Sequence, residues 1–162
     1  MKERNKMKNE DKQLLLKDIS ARLPYGVIGQ CEIDASYDTS FDTIFQTHKF
    51  DAVVYGIKED LLLVTPLIED KDEQEFANEE VADGVNILDF KPYLVPLSDM
   101  TEEQDKEYAL LQTSAGKDGF LYVWNCANMV KWLIENNFDY NGLIPKGLAI
   151  AVTKENNPYE RK

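Results

Sequence analysis

A chain of 162 residues with 43% hydrophobic content and a net charge of −12 reads as one folded unit, long enough to bury about 68–70% of its unfolded surface. Two cysteines exclude a disulfide framework, and the acidic balance excludes the basic stripe that tracks DNA or RNA. No apolar run approaches the roughly 20 residues needed to span a bilayer.

Residues 1–8 hold four basic residues and one acid without periodicity and read as a tail; no apolar h-region follows them, so no signal peptide is expected. A helix opens near Asn9 to Asp11, with Leu15, Leu16, Ile19 and Leu23 at helical spacing. Pro24 stops it, and Gly26 supplies a turn. From Val27 the period changes to two. Cys31, Ile33, Ala35, Tyr37, Thr39 and Phe41 alternate with Gln30, Glu32, Asp34, Ser36, Asp38, Ser40 and Asp42. Strand alternation puts the aspartates on the wet side and the aromatics on the buried side. The segment reads as a strand, or as two strands with a turn near Asp38. Aspartates four apart on a strand stand about 13 Å from one another, too far to share one ion. The spacing also lacks the glycine and the two-residue step of an EF-hand loop. No metal site is assigned.

Residues 50–57 and 61–67 read as a hairpin joined across "KED". "EDKDEQEFANEEVADG" (69–84) then carries eight acids and one lysine. Residues 58–107 hold 16 acids and four lysines, while the rest of the chain is neutral. The stretch reads as a solvated acidic loop; its functional alternatives are a docking surface or a mimic of nucleic acid. A further strand is expected over 85–90. Pro92 and Pro96 place "KPYLVPLS" at a sheet edge or beyond it. Thr101 and Gln104 form a capping box that opens a helix to about Gln112. Residues 113–119 read as a loop. "FLYVW" (120–124) reads as a short strand, and Asn125 caps a last helix whose inner face takes Cys126, Val130, Leu133, Ile134 and Asn137, widened by Met129 and Trp132. Asn137 or Gly142 stops it. Residues 144–152 read as a turn and an extended piece, and 154–162 as a polar tail.

The expected class is α+β: an N-terminal helix, a small twisted antiparallel sheet or SH3-like or Sm-like barrel of about five strands, and C-terminal helices packed against it. Residues 9–97 would hold the helix and sheet, and 98–153 the helical part.

Catalytic signatures are sparse. His48 is the single histidine, read as a hairpin-loop residue, and Cys31 and Cys126 read as small core residues; the three lack the paired spacing of a zinc site or a supported Cys–His pair. "SAGKDG" (114–119) sets Lys117 after Gly116 but lacks the full phosphate-loop pattern. No catalytic, cofactor-binding or metal residue is assigned, and no cofactor is implied. Tyr93, Trp124, Trp132, Phe138 and Tyr140 read as core. "FDYNGLIPKG" is the best loop for an interaction surface, with Asp139, Tyr140 and Lys146 as its candidate residues.

"LPYGV" (23–27), "KPYLVPLSDMTEEQ" (91–104) and "WLIENNFDYNGLIPKGLAI" (132–150) resemble a family of Bacteroides-type gut bacteria and their phages and prophages that has no established activity. That pattern carries a histidine at the position of Asn137 and a basic residue at that of Asn141, and this chain departs from it at both. The resemblance implies phage or mobile-element cargo in a bacterial cytoplasm. The reading reached is a non-enzymatic module whose partner is another protein, not nucleic acid or membrane. The alternatives are an acidic nucleic-acid mimic acting on a host DNA-binding protein and a small hydrolase or nucleotide-handling enzyme.

Overall fold

The computed structural model describes residues 7–38, 43–113 and 119–160. Helix α1 (Asn9–Arg22) leads into a single 3-10 turn, Leu23–Tyr25, that contains Pro24. Gly26, at φ 83°, turns the chain into the sheet, a conformation that costs a residue without a Cβ little. Strands β1 (Val27–Asp38) and β2 (Thr43–Lys58) pair antiparallel without interruption from Val27↔Val54 to Asp38↔Thr43. The described part of the alternating stretch, residues 30–38, therefore lies on one strand, β1. Glu32 and Asp34 are exposed while Cys31 and Ala35 are buried, the parity that alternation requires. Asp42 and the turn expected near Asp38 fall on residues 39–42, outside the described set.

The second hairpin joins β2 to β3 (Leu61–Pro66) through Glu59, at φ 56°, and Asp60. A register shift between Val54 and Gly56 marks a bulge in β2, which bends the strand and lets the sheet curl. Strand β4 (Val85–Asn86) lies outside β3, and β5 (Phe90–Leu94) lies on the far side of β1. Strand β6 (Ile150–Ala151) runs parallel to β5. The order is β4-β3-β2-β1-β5-β6, a curled mixed sheet of six strands. The α+β class, the N-terminal helix and the presence of C-terminal helices are as expected; the sheet gains a strand, and its last pairing is parallel.

Four local expectations are corrected. The acidic stretch is a helix, α2 (Lys71–Glu80), and not a loop; Asp70 caps it by accepting from the amides of Asp72 and Glu73, both at 3.0 Å. The strand expected over 85–90 is broken by a 3-10 turn, Ile87–Asp89, which Asn86 caps. Pro92 stands inside the sheet, not at its edge, opposite Gly29. The Leu94 carbonyl accepts from Val152 on the β6 side, so by strand parity the missing N–H of Pro92 faces that same side, before β6 begins to pair. Finally, residues 120–124 are helical. Helix α4 spans Gly119–Glu135, and Asn125 lies inside it instead of capping it. A short run of large apolar residues fits either state, and here the seventeen-residue helix absorbed it.

Helix α3 (Glu102–Thr113) begins at the expected box: the Thr101 amide donates to Gln104 Oε1 at 3.0 Å, and the Gln104 amide donates to Thr101 Oγ1 at 3.2 Å. The main core gathers Leu15 and Ile19 of α1 against Val27, Cys31, Ala52, Val54, Leu62 and Phe90 of the sheet. A second cluster joins Trp132, Leu133 and Phe138 to Tyr108 and Leu111 of α3. Trp132 stacks on Phe138 with ring centroids 5.5 Å apart. On α4 the expected inner face is corrected in part. Leu133 and Ile134 are buried, but Val130 is 41% and Trp124 62% exposed, and Cys126 is half-buried. His48 is likewise not in a hairpin loop: it sits within β2 opposite Ile33, its ring 5.2 Å from that of Phe76 in α2.

Candidate functional site

The loop after α4 carries the three residues singled out in the sequence. Asn137, at φ 58°, ends the helix, and the Val95 amide donates to its carbonyl at 2.8 Å while the Asp139 amide donates to the Val95 carbonyl at 2.9 Å. The loop thus lies parallel alongside the residue that follows β5, with Phe138 opposite Val95. Asp139 is buried and turned inward: its two oxygens accept from the amides of Leu143 and Ile144 at 2.7 and 2.8 Å. Tyr140 is half-buried, with its ring 5.4 Å from the Arg22 guanidinium. Lys146 is exposed and reaches Asp11 of α1 at 3.1 Å.

Behind this loop lies a pair that apolar periodicity did not reveal. Asp18 and Arg22, one turn apart on α1, are both fully buried and joined at 2.7 Å. Arg22 Nη2 also donates to the Phe138 carbonyl at 2.7 Å, and Asn141 Nδ2 donates to Asp18 Oδ1 at 2.8 Å. These bonds tie α1 to the loop across more than a hundred residues of sequence. Acid and base four apart on a helix are a common surface pattern, so only tertiary burial distinguishes this pair from a solvated one.

A different region of the molecule has the geometry of a binding site. Strand β3 leaves β2 after the Ala52↔Pro66 pair, and Leu67 adds one last bond from its amide to the Asp51 carbonyl at 2.8 Å. Over residues 43–50, no strand among the described residues pairs with the outer edge of β2. Strand parity carries the outward direction of the Asp51 carbonyl to Lys49 and Thr47, so their backbone groups face the same way. This edge borders a cleft of about 1410 Å³ whose walls are β1, β2, the departing 66–69 segment, α2 and Pro158 of the C-terminal segment.

Asp51, Glu69, Asp72 and Glu73 line that cleft against a single lysine, Lys49. Lys49 is itself 3.1 Å from Glu32, so the cleft is strongly acidic. On the sheet side, the Tyr93 hydroxyl donates to Asp51 at 2.8 Å, and Gln30 Nε2 lies 3.5 Å from that hydroxyl. Phe50, Val53 and Phe76 supply apolar wall. Outward backbone groups at Thr47 and Lys49, with no described strand alongside and with carboxylates and apolar side chains nearby, are equipped to hold an extended peptide. Neither the strand over 43–49 nor the point where β3 stops was read from the sequence.

Among the described residues, no group of three His, Cys, Asp or Glu side chains is placed to hold a metal ion. Asp34 accepts from Thr47 Oγ1 at 2.8 Å; the side chain of Asp38 and the whole of Asp42 lie outside the description, as do residues 114–118 of "SAGKDG". Cys31 is buried in the main core, and burial, with Asp51 and Asp89 adding to it, pushes its thiol up to about 12. A protonated, enclosed thiol is a poor nucleophile. Among the described residues, no helix is long and apolar enough to cross a membrane. Compared with known proteins, the chain matches no family model, no curated protein and no solved structure.

Proposed function

We propose that this protein is a non-enzymatic interaction module that takes an extended, basic segment of another protein as an additional strand on β2. The observation that carries the reading is the outer edge of β2 at Thr47 and Lys49, along which no described strand runs, beside four carboxylates. Main-chain bonds to Thr47 and Lys49 would supply sequence-independent affinity. Carboxylates of α2 would select lysine and arginine at alternate positions of the added strand. The acidic helix is then the selective wall of a binding cleft. The resemblance of residues 91–104 and 132–150 to a family of gut bacteria and their phages supports a mobile-element origin, and two unpaired cysteines fit a reducing cytoplasm.

The test uses a synthetic peptide alternating lysine and valine, titrated into the labelled protein while amide signals are followed. Shifts should concentrate on residues 43–51 and 69–77, and binding should weaken as salt rises. Thr47→Pro removes one outward N–H and leaves the β1 pairing intact; it should weaken binding at least about tenfold, the equivalent of about 1.4 kcal/mol. Equal binding of an alternating glutamate–valine peptide, or shifts away from the β2 edge, would overturn the proposal.

A further inference from the structure

Helix α4 shows solvent an apolar stripe. Val123 is 67%, Trp124 62% and Val130 41% exposed, and Ala127 between them is exposed as well. Positions 123, 127, 130 and 134 recur at helical spacing, so these side chains share one face. Trp132 and Leu133, on other faces, are already buried against α3 and Phe138. Beside the stripe, the end of α1 and α4 flank a shallow, mostly apolar groove of about 550 Å³ lined by Ala21, Tyr25, Cys126, Ala127, Val130 and Ile134, with Lys131 as its one charged residue. Contiguous exposed apolar surface of this kind marks an association site.

One face thus carries both a large protruding indole and an apolar groove, which is the requirement for a self-complementary contact. We infer that the occupant is a second copy of this chain, bound through α4 packed antiparallel on α4 about a two-fold axis at Ala127. In that arrangement a residue n places before Ala127 meets the residue n places after it in the partner. Trp124 then meets Val130 at the mouth of the groove, and Val123 meets the stem of Lys131, in both directions at once. Alanine at the axis lets the helices approach to the 8–10 Å of ordinary helix packing.

The electrostatics favour a second copy over an acidic or basic partner. Residues 119–135 contain one lysine and one glutamate, Lys131 and Glu135, and these pair with each other at 3.6 Å. The excess of −12 lies in residues 58–107, so two copies meeting through α4 bring neutral helices together. The stripe from Val123 to Ile134 is about 18 Å long at 1.5 Å per residue, and the face is about two helices wide. It therefore buries about 700 Å² in total, below the standard size of a specific interface. The dimer is accordingly a weak, reversible one.

Sedimentation equilibrium over a concentration series tests this. The mass should rise from 18.6 kDa towards twice that value with a dissociation constant in the micromolar range. Ala127→Glu, at an exposed position, should keep the helical circular-dichroism signal and hold the protein at monomer mass, because two glutamates would meet at the axis. Ala127→Lys should do the same alone, and an equimolar mixture of the two should restore the dimer. Monomer mass for the natural protein up to about 1 mM, a concentration at which only contacts weaker than millimolar escape, would overturn the inference. So would a dimer that survives Ala127→Glu, or a mixture that stays monomeric.

Discussion

Arg22 and Asp18 show how one residue pair commits distant segments to each other. Both side chains leave water entirely, a cost that ion pairing repays only when the remaining groups find partners. Asp18 gains Asn141, and Arg22 gains the Phe138 carbonyl. Arg22 Nη1, however, is buried without a hydrogen-bond partner. Removing one partner should therefore be costly and removing both much less so. Arg22→Met, which strands the Asp18 carboxylate, is expected to lower stability by about 3–5 kcal/mol. Asp18→Leu combined with Arg22→Met should lose markedly less, read from urea midpoints at constant slope. A double variant as unstable as the single one would show that the pair does more than neutralise itself.

At the level of elements, the β1–β5 contact depends on a residue that contributes no side chain. A Cβ on Gly29 would stand 2.3 Å from the ring of Phe90 and 2.5 Å from the Lys91 carbonyl oxygen. Phe90 is 1% exposed in the main core, and the carbonyl belongs to the paired strand; neither has room to yield. Gly29→Ala should cost about 2–3 kcal/mol by overpacking, measured by chemical denaturation, while leaving α1 and α3 helical. A loss below about 0.5 kcal/mol would mean that β5 slides freely past β1. The elements legible beforehand, α1, β1 and α3, announce themselves through local chemistry: a proline stop, a period of two, a capping box. Helix α2 was missed because eight acids in sixteen residues read as solvated chain, yet Asp70 provides an N-cap whose signal was present. Helix α4 was cut short because the run over 120–124 is apolar without a polar face to set a helical period.

Across the whole molecule, the C-terminal segment closes the sheet. The Tyr159 hydroxyl donates to the Tyr93 carbonyl at 2.8 Å and lies 3.5 Å from the Ile28 carbonyl, bridging β5 and β1 just beyond their last paired rung. Burial raises its ionisation to about 12 from 10.0, and that of Cys31 to about 12 from 9.0. Both groups are held neutral by the fold, so their stabilisation is complete below the unfolded values and disappears as pH climbs towards the folded ones. Stability measured against pH should be flat to about 9 and then decline towards 12. Cys31→Ala should remove the part of the decline that starts near 9, and Tyr159→Phe the part that starts near 10. Unchanged curves for both variants would place the alkaline sensitivity elsewhere.

The sequence alone determined what depends on near neighbours: the class of fold, the alternating strands, the first and third helices, and the concentration of negative charge in one central stretch. These follow from residue spacing and capping, which act within a few positions. The tertiary structure decided what depends on distant partners. It buried Asp18 and Arg22, turned Asp139 inward onto its own loop, ended β3 so that β2 keeps an open edge, and left Trp124 facing water. Each outcome turns on which segment lies alongside another, and a one-dimensional pattern records only which segments are ready to be covered.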